Sequence, residues 1–317
     1  MNEDQVLTPE SVQNEIRRTR HKAELPLYAI TIVLGIIAAI ILYIYTFNDS
    51  GALEQIKDVM AGENIIESSE EYQSIFTILV AFVSMVGGVG IAVIYVVTYL
   101  VGSYKLYASR MCYGIRVSEK NYPEIYAKVK EFTELLGLRK EPEVYVQQSN
   151  GSVNAFASWA PGRTFIQLNA EVVDLGYMEN KDFDTVAFIM AHEFGHIYFH
   201  HVHMHYRIWT TLIGYVPIVG ALIISPLYSR SKEYTADRVA QALTGGKNQV
   251  EGMKLLCAGR HGYKYIDIQD YLENANQNYN ILEKIARFVI NMMASHPVTP
   301  YRIAAIMDET KKNGKLL

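Results

Sequence analysis

Apolar residues in this chain fall into two kinds of pattern. From Leu25 to Asn48, and again from Tyr72 to Tyr104, they run without a charged residue, apolar on every helical face and long enough to cross a bilayer. A third uncharged run, Ile208 to Ser229, is interrupted by Gly214, Pro217, Gly220 and Pro226. Elsewhere the pattern is periodic. Tyr122, Ile125, Val129, Phe132 and Leu136 recur every three or four residues and predict a helix over about Asn121 to Leu138. Pro142 to Gln147, Phe156 to Trp159 and Thr164 to Leu168 read as short strands, the last two joined by a turn at Pro161-Gly162. Further helices are expected from Asp184 to about Tyr206, and from Tyr234 to Leu243, closed by Gly245-Gly246. Two more follow, from Tyr271 to about Met293 and from a capping Thr299, with Pro300 in the first turn, to about Thr310. The fold class is therefore α+β, a mostly helical domain with one small sheet behind transmembrane helices.

Charge orients this arrangement. Arg17, Arg18, Arg20 and Lys22 precede the first run, and Lys105, Arg110, Arg116 and Lys120 follow the second. The loop between carries Asp49, Glu54, Asp58, Glu63, Glu67, Glu70 and Glu71 against one Lys57. The positive-inside rule places both flanks in the cytoplasm. The expected organisation is a cytoplasmic segment (1–24), two transmembrane helices with an acidic external loop (25–104) and a cytoplasmic domain (105–317). No cleavage site follows the first run, which reads as a retained anchor in the plasma (inner) membrane. A net charge of −4 with no dense basic cluster excludes a nucleic-acid partner. Cys112 and Cys257 are the only cysteines and lack metal-ligand spacing, which fits a reducing compartment.

The chemistry lies in His192-Glu193-Phe194-Gly195-His196. Residues four apart share a helix face, so His192 and His196 can present ring nitrogens to one Zn2+, one ion per chain. Glu193 stands beside the metal rather than on it, where it can take a proton from the attacking water. A third protein ligand is needed. Phe199 and Val202 stand where a metzincin needs Gly and His, so that class is excluded. The first carboxylate downstream is Glu233, and Asp237, one turn on, can hold the spare N–H of a ligand histidine. A shared metal also constrains topology. One crossing within 208–229 would separate Glu233 from both histidines, and two crossings need about 40 residues. A membrane-associated hairpin or re-entrant segment at 208–229 is expected instead. His200, His201, His203 and His205 are read as interfacial polar residues at the end of the motif helix, next to Tyr206, Arg207 and Trp209.

HEFGH followed by EYTAD, with NAFASW upstream and SHPVTPYRI downstream, resembles the HtpX and type I CAAX prenyl endopeptidase family of membrane zinc peptidases, over roughly Tyr122 to Met307. The resemblance implies His192, His196 and Glu233 as zinc ligands, Glu193 as general base and Asp237 as their supporting acid. It implies that His296 steadies the oxyanion, that Arg302 lies near the site, and that the edge strand Asn154, Ala155, Phe156 and Ala157 pairs with substrate backbone. Polypeptide substrates follow, membrane proteins in particular, in an HtpX-like quality-control role within the lipid bilayer. CAAX processing and a non-catalytic zinc-bound scaffold are the alternatives, and the sequence leaves natural substrates and oligomeric state open. Glu193→Gln is expected to retain zinc and to lose cleavage, measured as metal content beside turnover. Robust proteolysis by that variant would remove Glu193 as the base.

Overall fold

The computed structural model describes residues 7–48, 93–310 and 313–316, apart from 180, 215, 217, 276, 278 and 295. The expected acidic loop and most of the second apolar run lie outside the described residues. Helix α1 (Pro9–Thr19) is capped by Thr8, whose side chain accepts from Ser11 N–H while Ser11 returns the bond. It is followed by α2 (Glu24–Asn48) and, after the gap, a helix α3 over 93–113. Among the described residues, α2 alone is long and apolar enough to cross a membrane, through its segment Glu24–Ile41.

The sheet has four strands, β1 (Ile115–Arg116), β2 (Glu143–Gln147), β3 (Ala155–Ala160) and β4 (Arg163–Asn169), in the order β1-β2-β4-β3. Helix α4 (Pro123–Leu136) separates β1 from β2. β2 lies parallel to β4, whereas β3 folds back antiparallel on β4 across Pro161-Gly162, pairing Ala160 with Arg163. A proline followed by a glycine at φ 81° provides that reversal. β3 is thus an edge strand.

The remaining chain is helical: α5 (Ala170–Asp174), α6 (Phe183–Tyr198), α7 (Met204–Gly214), α8 (Ser225–Thr244), α9 (Gln249–Gly262), α10 (Ile268–Ala275), α11 (Ile281–Met293) and α12 (Thr299–Met307). The architecture is the mostly helical α+β domain that the periodicity predicts. Four features differ from the sequence reading. The motif helix stops at Tyr198 and the chain turns before α7. The helix bearing Glu233 begins at Ser225, because Pro226 sits in its first turn, where a missing N–H costs nothing. Thr299 is the first residue of α12 rather than its cap, which is Val298. The region 271–293 is likewise two helices, α10 and α11, the second opened by a reciprocal Asn280–Glu283 cap.

One core joins sheet and helices. Phe132 of α4 meets Phe194 of α6 edge-on at 5.6 Å, and both are fully buried with Ile166, Leu168 and Phe188. Val12 and Ile16 of α1 belong to the same core. The segment before α2 is therefore packed into the core of the domain rather than trailing from it. Ile16→Ala should cost about 2–5 kcal/mol in denaturant unfolding. A loss under about 0.5 kcal/mol would place α1 outside the cooperative core.

Candidate metal centre and active site

Two crossed helices build the centre. Asp182 caps α6 by accepting from Thr185 N–H at 3.0 Å, and Asn248 Nδ2 donates to the same carboxylate at 2.8 Å. The buried length of α6 then packs on α8, and Gly195 is a point of close approach. A Cβ there would stand 2.9 Å from Ala236 Cα and 3.1 Å from Val239 Cβ. Only glycine lets the helices come this near, and the approach brings Glu233 level with the two histidines. His192 Nε2 is 3.4 Å from Glu233 Oε2, and His196 Nε2 is 3.5 Å from Glu233 Oε1. Donor atoms of His192, His196 and Glu233 lie within 4.8 Å of one another, the only group among the described residues able to hold a metal ion.

The second ring nitrogens decide whether that arrangement fits a metal. His192 Nδ1 lies 2.9 Å from Asp237 Oδ1. Arg302 clamps the same carboxylate through Nε to Oδ2 at 2.9 Å and Nη2 to Oδ1 at 2.6 Å. Asp237 therefore accepts from Nδ1–H and leaves Nε2 facing Glu233, the nitrogen that a metal would take in place of a proton. Electrostatics agree. Burial alone would lower the His192 pKa, but Asp237 and Glu233 outweigh it and raise the value to about 10. Burial pushes the Glu233 carboxyl up, and its three histidine partners overcome this and hold it well below the usual carboxylate range. A pocket that favours positive charge this strongly, with both Nε2 atoms turned inward, fits a divalent cation.

Glu193 sits beside this group, and its Oε2 accepts from Ala157 N–H of β3 at 2.6 Å. Asn154, Ala155, Phe156 and Ala157 line the same cleft with the unpaired side of β3 turned towards it, while Asn154 C=O accepts from Asn169 N–H at 3.0 Å. The cleft has a volume of about 480 Å³ and is lined by the apolar residues Phe188, Ile189, Met253 and Leu256 and by Lys232. His296 follows α11. Its Nδ1 lies 3.1 Å from Glu233 Oε2 with 65% of the side chain exposed. Hydrogen bonding to Glu233 raises its pKa. Arg230, fully buried one turn before Glu233, ties down the approach to His296 by donating to Asn291 C=O and, at 3.2 Å, to Ala294 C=O. The residues assigned from the sequence thus gather around one cleft, with Asp237 behind His192 rather than in the cleft and His296 against Glu233.

His201 corrects the sequence reading. α6 ends in a Schellman turn, with His200 in the left-handed region at φ 60° and His201 N–H returning to His196 C=O at 2.9 Å. This folds His201 underneath His196, ring nitrogen to ring nitrogen at 3.0 Å, and leaves it 4% exposed. Burial lowers its pKa to about 4, so the ring is neutral. His201 is therefore an interior group rather than an interfacial one. The signal available in the sequence was its spacing, because the position five after His196 is where such a turn places its inward contact. Glu24, buried on the far side of His201, had no signal at all.

Two histidines and a glutamate converging from crossed helices, with a further carboxylate between them and an open sheet edge, are the arrangement of a metallopeptidase. Residues 119–310 match the model of peptidase family M48. That is more than half of the chain, and the chain belongs to this family, that of HtpX and CAAX prenyl protease type membrane metallopeptidases. No solved structure matches it. Gly195→Ala should force α6 off α8, costing about 1–3 kcal/mol of stability by overpacking. Metal affinity, measured by chelator competition, should fall with it, whereas unchanged affinity would separate the crossing from the centre.

Proposed function

We propose that this protein is a membrane-anchored zinc endopeptidase that cuts polypeptides, membrane proteins among them, in an HtpX-like quality-control role. The contact between Glu193 and Ala157 carries the reading. It puts a carboxylate between the open edge of β3 and the His192, His196 and Glu233 group, where a peptide bond laid along the strand would have to lie. His192, His196 and Glu233 would hold the zinc, whose contribution when bound would be Lewis-acid chemistry on the scissile carbonyl and the attacking water. Glu193, steadied through one oxygen, takes the water's proton with the other and returns it to the leaving amine. Asp237 and Arg302 keep His192 in its ligating tautomer. His296 swings from Glu233 to donate to the developing oxyanion. Extended substrate adds to β3 through backbone hydrogen bonds, so pocket shape governs selection more than sequence does.

Exposed apolar surface supports the membrane reading. Val33, Ile36, Ile37, Ile40 and Ile41 of α2 face outward, as do Ile218, Val219, Leu222 and Ile223 in the reversal between α7 and α8. α2 packs on α7, with Gly35 against the Trp209 ring. We place 1–24 and 105–317 in the cytoplasm, 25–104 as two spans, and 208–229 as a hairpin that enters and leaves on the cytoplasmic face, in the plasma (inner) membrane. Lipid would cover these surfaces and the outward residues Leu282, Ile285 and Phe288 of α11.

Detergent-purified protein should cleave casein, lose that activity to a zinc chelator and regain it with zinc. Full zinc occupancy without cleavage would favour the scaffold. Ala157→Pro removes only an outward N–H from an edge strand. It should lower kcat/KM roughly 10–100-fold at unchanged zinc content, the value of one hydrogen bond to a charged group.

A further inference from the structure

We propose that His201 and Glu24 form a hydrogen-bonded relay that fixes His196 as a ligand, which makes the first residue of α2 a positioning residue of the active site. The proposal rests on reading His196 as a metal ligand. His196 Nδ1 lies 3.0 Å from His201 Nδ1, and His201 Nε2 lies 3.2 Å from Glu24 Oε1. With Glu24 ionised, one proton arrangement satisfies both contacts. His201 Nε2–H donates to the carboxylate, which leaves His201 Nδ1 to accept from His196 Nδ1–H. The His196 Nε2 lone pair is then directed at Glu233. The opposite arrangement would put the His196 proton on Nε2 and close that ligand position.

Glu24 is itself held firmly. Arg20, one turn earlier in the chain, and Thr235 Oγ1 on α8 both donate to it, and it is 1% exposed. The two ligand histidines are therefore treated alike. His192 leans on a carboxylate directly, through Asp237, and His196 leans on one through an intervening imidazole. Such partners fix ring orientation and raise ligand basicity. Glu24 lies outside residues 119–310, so the relay brings into the centre a residue that the matched family region does not contain.

The full chain in detergent tests this with His201→Leu, His201→Gln, Glu24→Gln and the double variant His201→Leu with Glu24→Gln. The readouts are zinc affinity by chelator competition, the absorption spectrum of the cobalt-loaded protein, kcat and KM on casein, and thermal unfolding. His201→Leu and Glu24→Gln should weaken zinc binding roughly 10–100-fold, shift the cobalt spectrum and lower kcat with KM held. His201→Gln keeps one acceptor and one donor and should recover most of the loss. The double variant should be no worse than His201→Leu, as expected of groups acting in one chain. Glu24→Gln is nearly isosteric and covers the case in which His201→Leu unfolds. A folded Glu24→Gln protein with unchanged zinc affinity and cobalt spectrum overturns the relay, as do equal losses in His201→Gln and His201→Leu. Wild-type protein that binds no zinc overturns the ligand reading instead, a separate result.

Discussion

The distance between α6 and α8 governs everything at the centre, and one missing side chain sets it. Where Gly195 meets Ala236 the backbones are nearly in contact, and Val239 closes the remaining gap. Any larger residue at 195 would lever the helices apart from the middle. Glu233 would then withdraw from both histidines, and Asp237 from His192. The buried charges of Asp237, Glu233 and Arg302 depend on the same approach. Each would carry a desolvation cost of several kcal/mol if left unpaired. The close crossing keeps every one of them within reach of an opposite charge or a ring nitrogen.

Around that crossing the protein controls its histidines from behind. The His192 and His196 rings each turn one nitrogen to Glu233, and the other is held by a group that dictates where the proton sits. The supports come from distant parts of the chain. Arg302 reaches in from α12, His201 from the turn after α6, and Arg230 holds the approach to His296 from α8. β3 adds the remaining element, an edge whose outward N–H meets Glu193. The site is therefore a product of the whole fold rather than of one motif.

How much of this was legible in the sequence follows from the range of each interaction. HEFGH is local, so its helix and shared face could be read directly, and the empty stretch to Glu233 gave the third donor. The hairpin at Pro161-Gly162 was equally plain, because turn chemistry is local. The end of α6 was misread because His200 adopts a left-handed conformation usually left to glycine, and no glycine marked the stop. The start of α8 was misread because Pro226 is a breaker in mid-helix and a favoured residue in the first turn, and the sequence does not distinguish the two. Glu24 could not be found at all. It looks like the polar flank of an apolar helix, and its partner stands 177 positions away.

The bend from α1 into α2 has a geometric consequence. Glu24 opens the long apolar helix and lies two hydrogen bonds from His196, so the catalytic cleft is held at the level where the apolar surface of α2 begins. In any bilayer crossed by α2 that level is the headgroup boundary. On the proposed membrane-anchored reading, height above the lipid would act as a selection rule. On that reading, a polypeptide segment that lies near the boundary comes within reach of the cleft. One that stands well clear of it stays out of range whatever its sequence.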